Sequence, residues 1–194
     1  MARRAGSLHA VILAGGAGER FWPASREAFP KPLLRVVDGR SLLASTLARA
    51  RRFADPARIW VVAGREHARA VRAETALPAR RVIVEPMRRN TALAIAHAAA
   101  RIRCVDPDAI MAVLPADHVI PDARAFGAAM RRAARAARAA DVLVTLGVEP
   151  KRPDTGLGYI QRGAAVGRAA PGLHRVARFV EKPDARSARR YLRS

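Results

Sequence analysis

Short apolar runs alternate along this chain with longer stretches whose apolar positions recur every three to four residues. The runs at 8–14 (LHAVILA), 59–63, 81–84, 109–114, 142–147 and 176–180 have the length and β-branched content of buried strands. Between them, residues 41–53, 66–76, 90–101 and 123–140 carry helix periodicity. In the first of these, Ser41 stands where a helix cap belongs, and Leu42, Leu43, Thr46 and Leu47 share one side. In the last, Phe126, Met130, Ala133 and Ala137 form one stripe, while Arg131, Arg132, Arg135 and Arg138 face water. This alternation predicts an α/β fold, a parallel sheet with helices on both faces. Ligands of such sheets bind outside the carboxyl ends of the strands, so the informative residues should follow the runs. Beyond Pro150 the pieces become shorter and are punctuated by Gly and Pro, which reads as an added strand region.

Composition narrows the picture. At 194 residues one domain is expected, and 51% hydrophobic against 27% charged residues excludes wholesale disorder. Cys104 is the lone cysteine, which excludes an internal disulfide and fits a reducing, cytoplasmic setting. The opening MARRAGSLHAVILAGGAG has the outline of a signal peptide. Its apolar run is short and β-branched, however, and ends in glycines followed by Glu19 and Arg20, so a strand feeding a loop explains it better. No run approaches the ~20 apolar residues that a membrane helix requires.

The formal net charge of +20 invites a nucleic-acid reading. Yet Lys31, Lys151 and Lys182 are the only lysines, the arginines alternate with alanines, and the 5% aromatics are not interleaved with the basic runs. That pattern describes solvated helix faces and argues against a nucleic-acid partner. The field still attracts small polyanions.

After the first run comes Gly15-Gly16-Ala17-Gly18-Glu19-Arg20, and then Lys31 between Pro30 and Pro32. Three glycines in four positions let backbone N–H groups converge on an anion without interference from a Cβ. Arg20 and Lys31 would neutralise phosphate charge beside them. No Gly-Lys-Ser/Thr closes a Walker loop, and Phe21 stands where a dinucleotide fingerprint needs its last glycine. The competing reading is a tight turn with incidental cations. Later segments offer further candidates. Asn90 and Thr91 open an alanine-rich helix, where either could be no more than its cap. Asp117 ends an apolar strand, a good place to hold Mg²⁺, a hard cation that prefers carboxylate and phosphate oxygens. His118 beside it lacks further ligands at zinc spacing and reads as a hydrogen-bonding neighbour.

Taken in order, LAGGAGERFWPASREAFPKPLL, VEPMRRNTALAIAHAAA, VLPADHVI, VTLGVEPKRPDTGLGYIQR and FVEKPD resemble the motifs of sugar-phosphate nucleotidyltransferases, and the second resembles the mannose-1-phosphate guanylyltransferase branch. The resemblance covers residues 11–184 and implies a Rossmann-like three-layer α/β/α fold, that of the nucleotide-diphospho-sugar transferases. It implies that Arg20 and Lys31 brace a triphosphate, with Leu13, Ala14, Gly15, Gly16 and Gly18 along the nucleotide. Glu85, Pro86, Arg89, Asn90 and Thr91 would lie against guanine, and Asp117 would hold Mg²⁺. Thr155 and Gly156 would approach the sugar, Glu181 its hydroxyls and Lys182 its phosphate.

The implied reaction transfers GMP from GTP to mannose 1-phosphate, giving GDP-mannose and pyrophosphate. Arg20, Lys31, Asp117 and Lys182 would be the catalytic set. Two departures stand out. Leu157 replaces the usual tyrosine, and the chain stops at Ser194, before the family's W-N-S-G-type segment and second metal-binding aspartate. The expectation is therefore a single nucleotidyltransferase domain truncated at its C-terminus. Two alternatives stay open: a guanylyltransferase for another sugar such as a heptose 1-phosphate, and a non-catalytic nucleotide-binding fragment or regulatory subunit. Self-association also stays open.

Overall fold

Four of the apolar runs pair side by side in a computed structural model, which describes residues 6–15, 30–35, 39–87, 90–167 and 172–193, and of Asn90 the backbone alone. The strands are β1 (Leu8–Leu13), β2 (Ile59–Gly64), β3 (Val82–Glu85) and β4 (Ile110–Pro115). They form a sheet of order β3-β2-β1-β4, parallel at every junction. The helices between them are α1 (Leu42–Ala50), α2 (Ala68–Thr75), α3 (Asn90–Arg103) and α4 (Ala123–Ala140).

Because successive side chains of a strand point to opposite faces, β1 feeds two cores. Ala10 and Ile12 pack with Leu43 and Leu47 of α1, Val71 of α2 and Met130 of α4. Val11 joins Trp60, Val62 and Ile83 against Ala94, Ala98 and Ile102 of α3. Small alanines at 94 and 98 leave room for the large residues of the sheet, and each fully buried aliphatic side chain contributes about 1.5–3 kcal/mol. The result is the expected α/β/α layering. Ser41 caps α1 as its sequence suggested: its Oγ accepts from the Ala44 N–H at 2.9 Å. No described helix is long and apolar enough to cross a membrane.

The chain divides into two compact units, Met1–Val142 and Leu143–Ser194. The second holds the antiparallel hairpin of β5 (Gly158–Ala165) and β6 (His174–Glu181), with register shifts around Arg162, and then α5 (Ala185–Tyr191). Asp184 caps α5 by accepting from the Ser187 N–H at 2.8 Å. The strand expected at 142–147 does not form, and Leu143 and Val148 are exposed. Its β-branched residues suit a strand, but a strand persists only where a neighbour supplies ladder hydrogen bonds, and residues 142–148 have none among the described residues.

Candidate active site

In a sheet of order β3-β2-β1-β4 the direction of winding reverses between β1 and β4. A crevice opens at such a switch point, beyond the carboxyl ends of the two strands. Leu13 and Pro115 are register partners at that end, and Asp117 follows two residues later. The chain is steered there by backbone bonds: the Ala14 N–H donates to Val62 O at 2.8 Å and the Ala116 N–H to Leu13 O at 3.0 Å.

Lys31 arrives from a separate segment. Pro30 leads into a short 3₁₀ turn at Lys31–Leu33, with Pro32 and Leu33 buried beneath it. Proline at both flanks fixes φ and limits the directions Lys31 can take. Its ammonium donates to Asp117 Oδ2 at 2.6 Å, and both side chains are partly buried. Partial burial pushes the Asp117 carboxyl up, but the hydrogen bond and charge of Lys31 outweigh it and hold Asp117 below the ordinary carboxylate value. The exposed His118 ring lies farther off, with Nε2 3.9 Å from Oδ1 of Asp117.

A second pairing lies at the ends of β1 and β3. Glu85, buried at the last position of β3, aims its carboxylate at the backbone of Gly15, where an added Cβ would sit 2.7 Å from Oε2. Only a residue without a side chain fits beside that carboxylate in its present position. Pro86 and Thr91 are exposed nearby in sequence, and Asn90 opens α3. Gly16, Gly18, Arg20 and Arg89 lie outside the described residues.

Within the second unit, Gly158 of β5 is the register partner of Glu181 of β6, and an added Cβ on Gly158 would meet Glu181 Oε2 at 2.8 Å. The Lys182 N–H donates to Leu157 O at 3.2 Å, so the Gly156–Gly158 loop and the Glu181–Lys182 pair are neighbours. Thr155 is exposed, and the Gly156 N–H donates to Asp154 Oδ1 at 2.8 Å. Lys182 has φ of 45°, a left-handed conformation that an L side chain adopts only at a cost. Sequence reading did not anticipate this strain, nor the hydroxyl of Tyr159 accepting from the Asp154 N–H at 2.9 Å. The first is a backbone property without a residue signature at lysine, and the second is a contact made across a loop.

The model of the nucleotidyl transferase family matches residues 9–194. The chain belongs to that family. Its similarity to individual relatives is close. It is 45% identical over 188 residues to the xanthan biosynthesis protein XanB of Xanthomonas campestris pv. campestris, and 43% identical over 188 residues to a mannose-1-phosphate guanylyltransferase of Escherichia coli. Those alignments take in 95% of this chain but only 38% and 39% of the two relatives, so the chain spans well under half their length. Among solved structures it matches mannose-1-phosphate geranyltransferase from Thermus thermophilus with a TM-score of 0.85 at 37% identity, covering 96% of this chain and 53% of that one. The Rossmann-like fold expected from the motifs is therefore present.

Proposed function

We propose that this member of the nucleotidyl transferase family moves GMP from GTP to mannose 1-phosphate, releasing pyrophosphate and forming GDP-mannose. The observation that carries the reading is the 43% identity to the E. coli mannose-1-phosphate guanylyltransferase, which runs through 95% of this chain. The Lys31–Asp117 pair at the switch point supports it, because a cation and a carboxylate held together there suit a polyphosphate and its counter-ion. The attacking phosphate oxygen is already anionic, so no general base is needed. What the site must do is bring two anions together and align them, and that is positioning and charge neutralisation.

In this reading Arg20 and Lys31 neutralise the triphosphate, and Leu13, Ala14, Gly15, Gly16 and Gly18 flank the nucleotide. Glu85, Pro86, Arg89, Asn90 and Thr91 face guanine, whose polar edge requires matched polar groups. Thr155, Gly156, Glu181 and Lys182 take the sugar phosphate. No group of three or more His, Cys, Asp or Glu residues able to cage a metal occurs among the described residues. The donor set fits Mg²⁺ nonetheless, since that ion is commonly held by one or two carboxylates plus substrate phosphates, and Asp117 would be the carboxylate. Bound there, Mg²⁺ would supply further neutralisation of phosphate charge.

Pyrophosphate release, assayed across nucleoside triphosphates and sugar 1-phosphates with Mg²⁺, tests the proposal. GTP with mannose 1-phosphate should give the highest kcat/KM. Preference for a heptose 1-phosphate would reassign the sugar, and GTP binding without pyrophosphate release would mark a binding module instead.

A further inference from the structure

Asp117 lies just past the end of β4, where no ladder fixes the backbone. The two residues that flank it are nevertheless pinned, and by side chains of α1. Thr46 Oγ1 donates to the carbonyl of Ala116 at 3.2 Å. Arg49 Nη2 donates to the carbonyl of His118 at 2.6 Å and to Thr46 Oγ1 at 2.6 Å. Thr46 and Arg49 are one helical turn apart, so both reach the same stretch of backbone from one face of α1. Thr46 is fully buried and Arg49 is 7% exposed.

Arg49 is an expensive device for this purpose. A buried guanidinium normally has a carboxylate partner, whereas among the described residues Arg49 has only a hydroxyl and a carbonyl, and its Nε has no hydrogen-bond partner. Stability alone does not account for such a choice, because a water or a second threonine would satisfy one carbonyl at less cost. What the arrangement achieves is geometric. With the Ala116 N–H on Leu13 O, the peptide that precedes Asp117 is held at the Ala116 carbonyl and the peptide that follows His118 at the His118 carbonyl. This restricts the backbone on both sides of Asp117 and favours the position in which its carboxylate meets Lys31.

We infer that Thr46 and Arg49 are positioning residues that hold Asp117 against Lys31, an inference that rests on the nucleotidyl-transfer reading for its catalytic consequence. A displacement of about 1 Å at a reacting centre can cost on the order of 100-fold in rate, so the clamp matters if Asp117 and Lys31 act on substrate.

The test uses the full chain and Thr46→Val, which keeps the shape and removes the donor, with Thr46→Ser as the conservative restoration. Two readouts are taken. Lysine acylation at fixed pH, mapped by mass spectrometry, reports how firmly Lys31 is engaged, with Lys151 and Lys182 as references in the same molecule. Pyrophosphate release gives kcat and KM for GTP. The expected result is Lys31 acylation several-fold faster in Thr46→Val with Lys151 and Lys182 unchanged, kcat down about 10-fold, KM for GTP within about twofold, and both readouts restored by Thr46→Ser. A variant that is less heat-stable but whose Lys31 acylation matches the parent would overturn the inference and leave Thr46 a packing residue. A parent chain that releases no pyrophosphate would sink the nucleotidyl-transfer reading, and the acylation result would then decide the clamp by itself.

Discussion

The ammonium of Lys31 donates to Asp117 Oδ2 over 2.6 Å although 86 residues separate them in sequence. The pair joins the segment that follows β1 to the segment that follows β4, across the point where the sheet reverses its winding. In the proposed reaction the lysine must serve the triphosphate more as charge develops on it than in the ground state. Lys31→Ala should therefore lower kcat for pyrophosphate release by about 100- to 1000-fold while KM for GTP rises less than about tenfold. Lys31→Arg, which keeps the charge but not its point-like geometry, should recover only part of the loss. Equal losses in kcat and in GTP affinity would show a binding role and no transition-state role.

Gly15 and Glu85 make a second test, and one that is independent of activity. The Cβ of an alanine at position 15 would lie 2.7 Å from Glu85 Oε2, inside van der Waals contact, so the buried carboxylate must move. Gly15→Ala should cost about 1–3 kcal/mol in urea unfolding, as overpacking does. Glu85→Ala removes the obstacle, so the cost of Gly15→Ala measured in that background should shrink toward zero. An additive double-mutant cycle would show that the two residues do not meet.

The strands and helices around these residues were legible because their signals are local. The cap at Ser41, the stripe of Met130 on α4 and the β-branched run of β1 each declare themselves within a few positions. The pairing of Lys31 with Asp117 was not legible. Sequence placed one on a triphosphate and the other on a metal, and only the sheet order makes them neighbours. Nor is the clamp on Asp117 visible in sequence, where Thr46 merely shares one side of its helix with three leucines and Arg49 is one of many arginines that alternate with alanines. Residues 142–147 show the opposite failure, in which strand propensity had no ladder to satisfy it. The alternation in β5 was masked by glycines and by an irregular register.

Lys182 separates stability from function. Its φ of 45° costs a lysine energy that glycine would not incur. Lys182→Gly should therefore raise the unfolding free energy by about 0.5–1 kcal/mol, the relief of strain being partly offset by glycine's freedom in the unfolded chain. The same variant should lower kcat/KM for the sugar phosphate by about 100-fold if the ammonium neutralises that phosphate. Denaturation and turnover measured on one preparation would show the two moving in opposite directions. A Lys182→Gly protein that is both more stable and fully active would remove Lys182 from the site.

His9 should make the fold sensitive to mild acid. The Trp60 Nε1–H, which can only donate, points at His9 Nδ1 at 3.0 Å, so Nδ1 must accept and the proton must reside on Nε2, facing Asp106 Oδ2 at 3.3 Å. Protonating Nδ1 would set two donors against each other. Burial lowers the imidazole's affinity for a proton, the hydrogen bond and charge of Asp106 oppose that, and the nearby Arg58 and Arg81 add to it, leaving His9 below the ordinary value of 6.5. The folded chain thus binds this proton less readily than the unfolded chain, and stability rises with pH through the window. Stability should be full above about pH 7 and should begin to fall as the pH drops through 6.5, levelling once the folded pKa is passed. The carboxylates Asp106 and Asp117, both lowered, weaken the fold only at more acid pH and leave this window clear. Urea midpoints measured from pH 8 to pH 5 should trace the fall in the parent, and His9→Gln, which cannot titrate, should flatten it at the expense of lower stability throughout. An equal slope in both proteins would place the titrating group elsewhere.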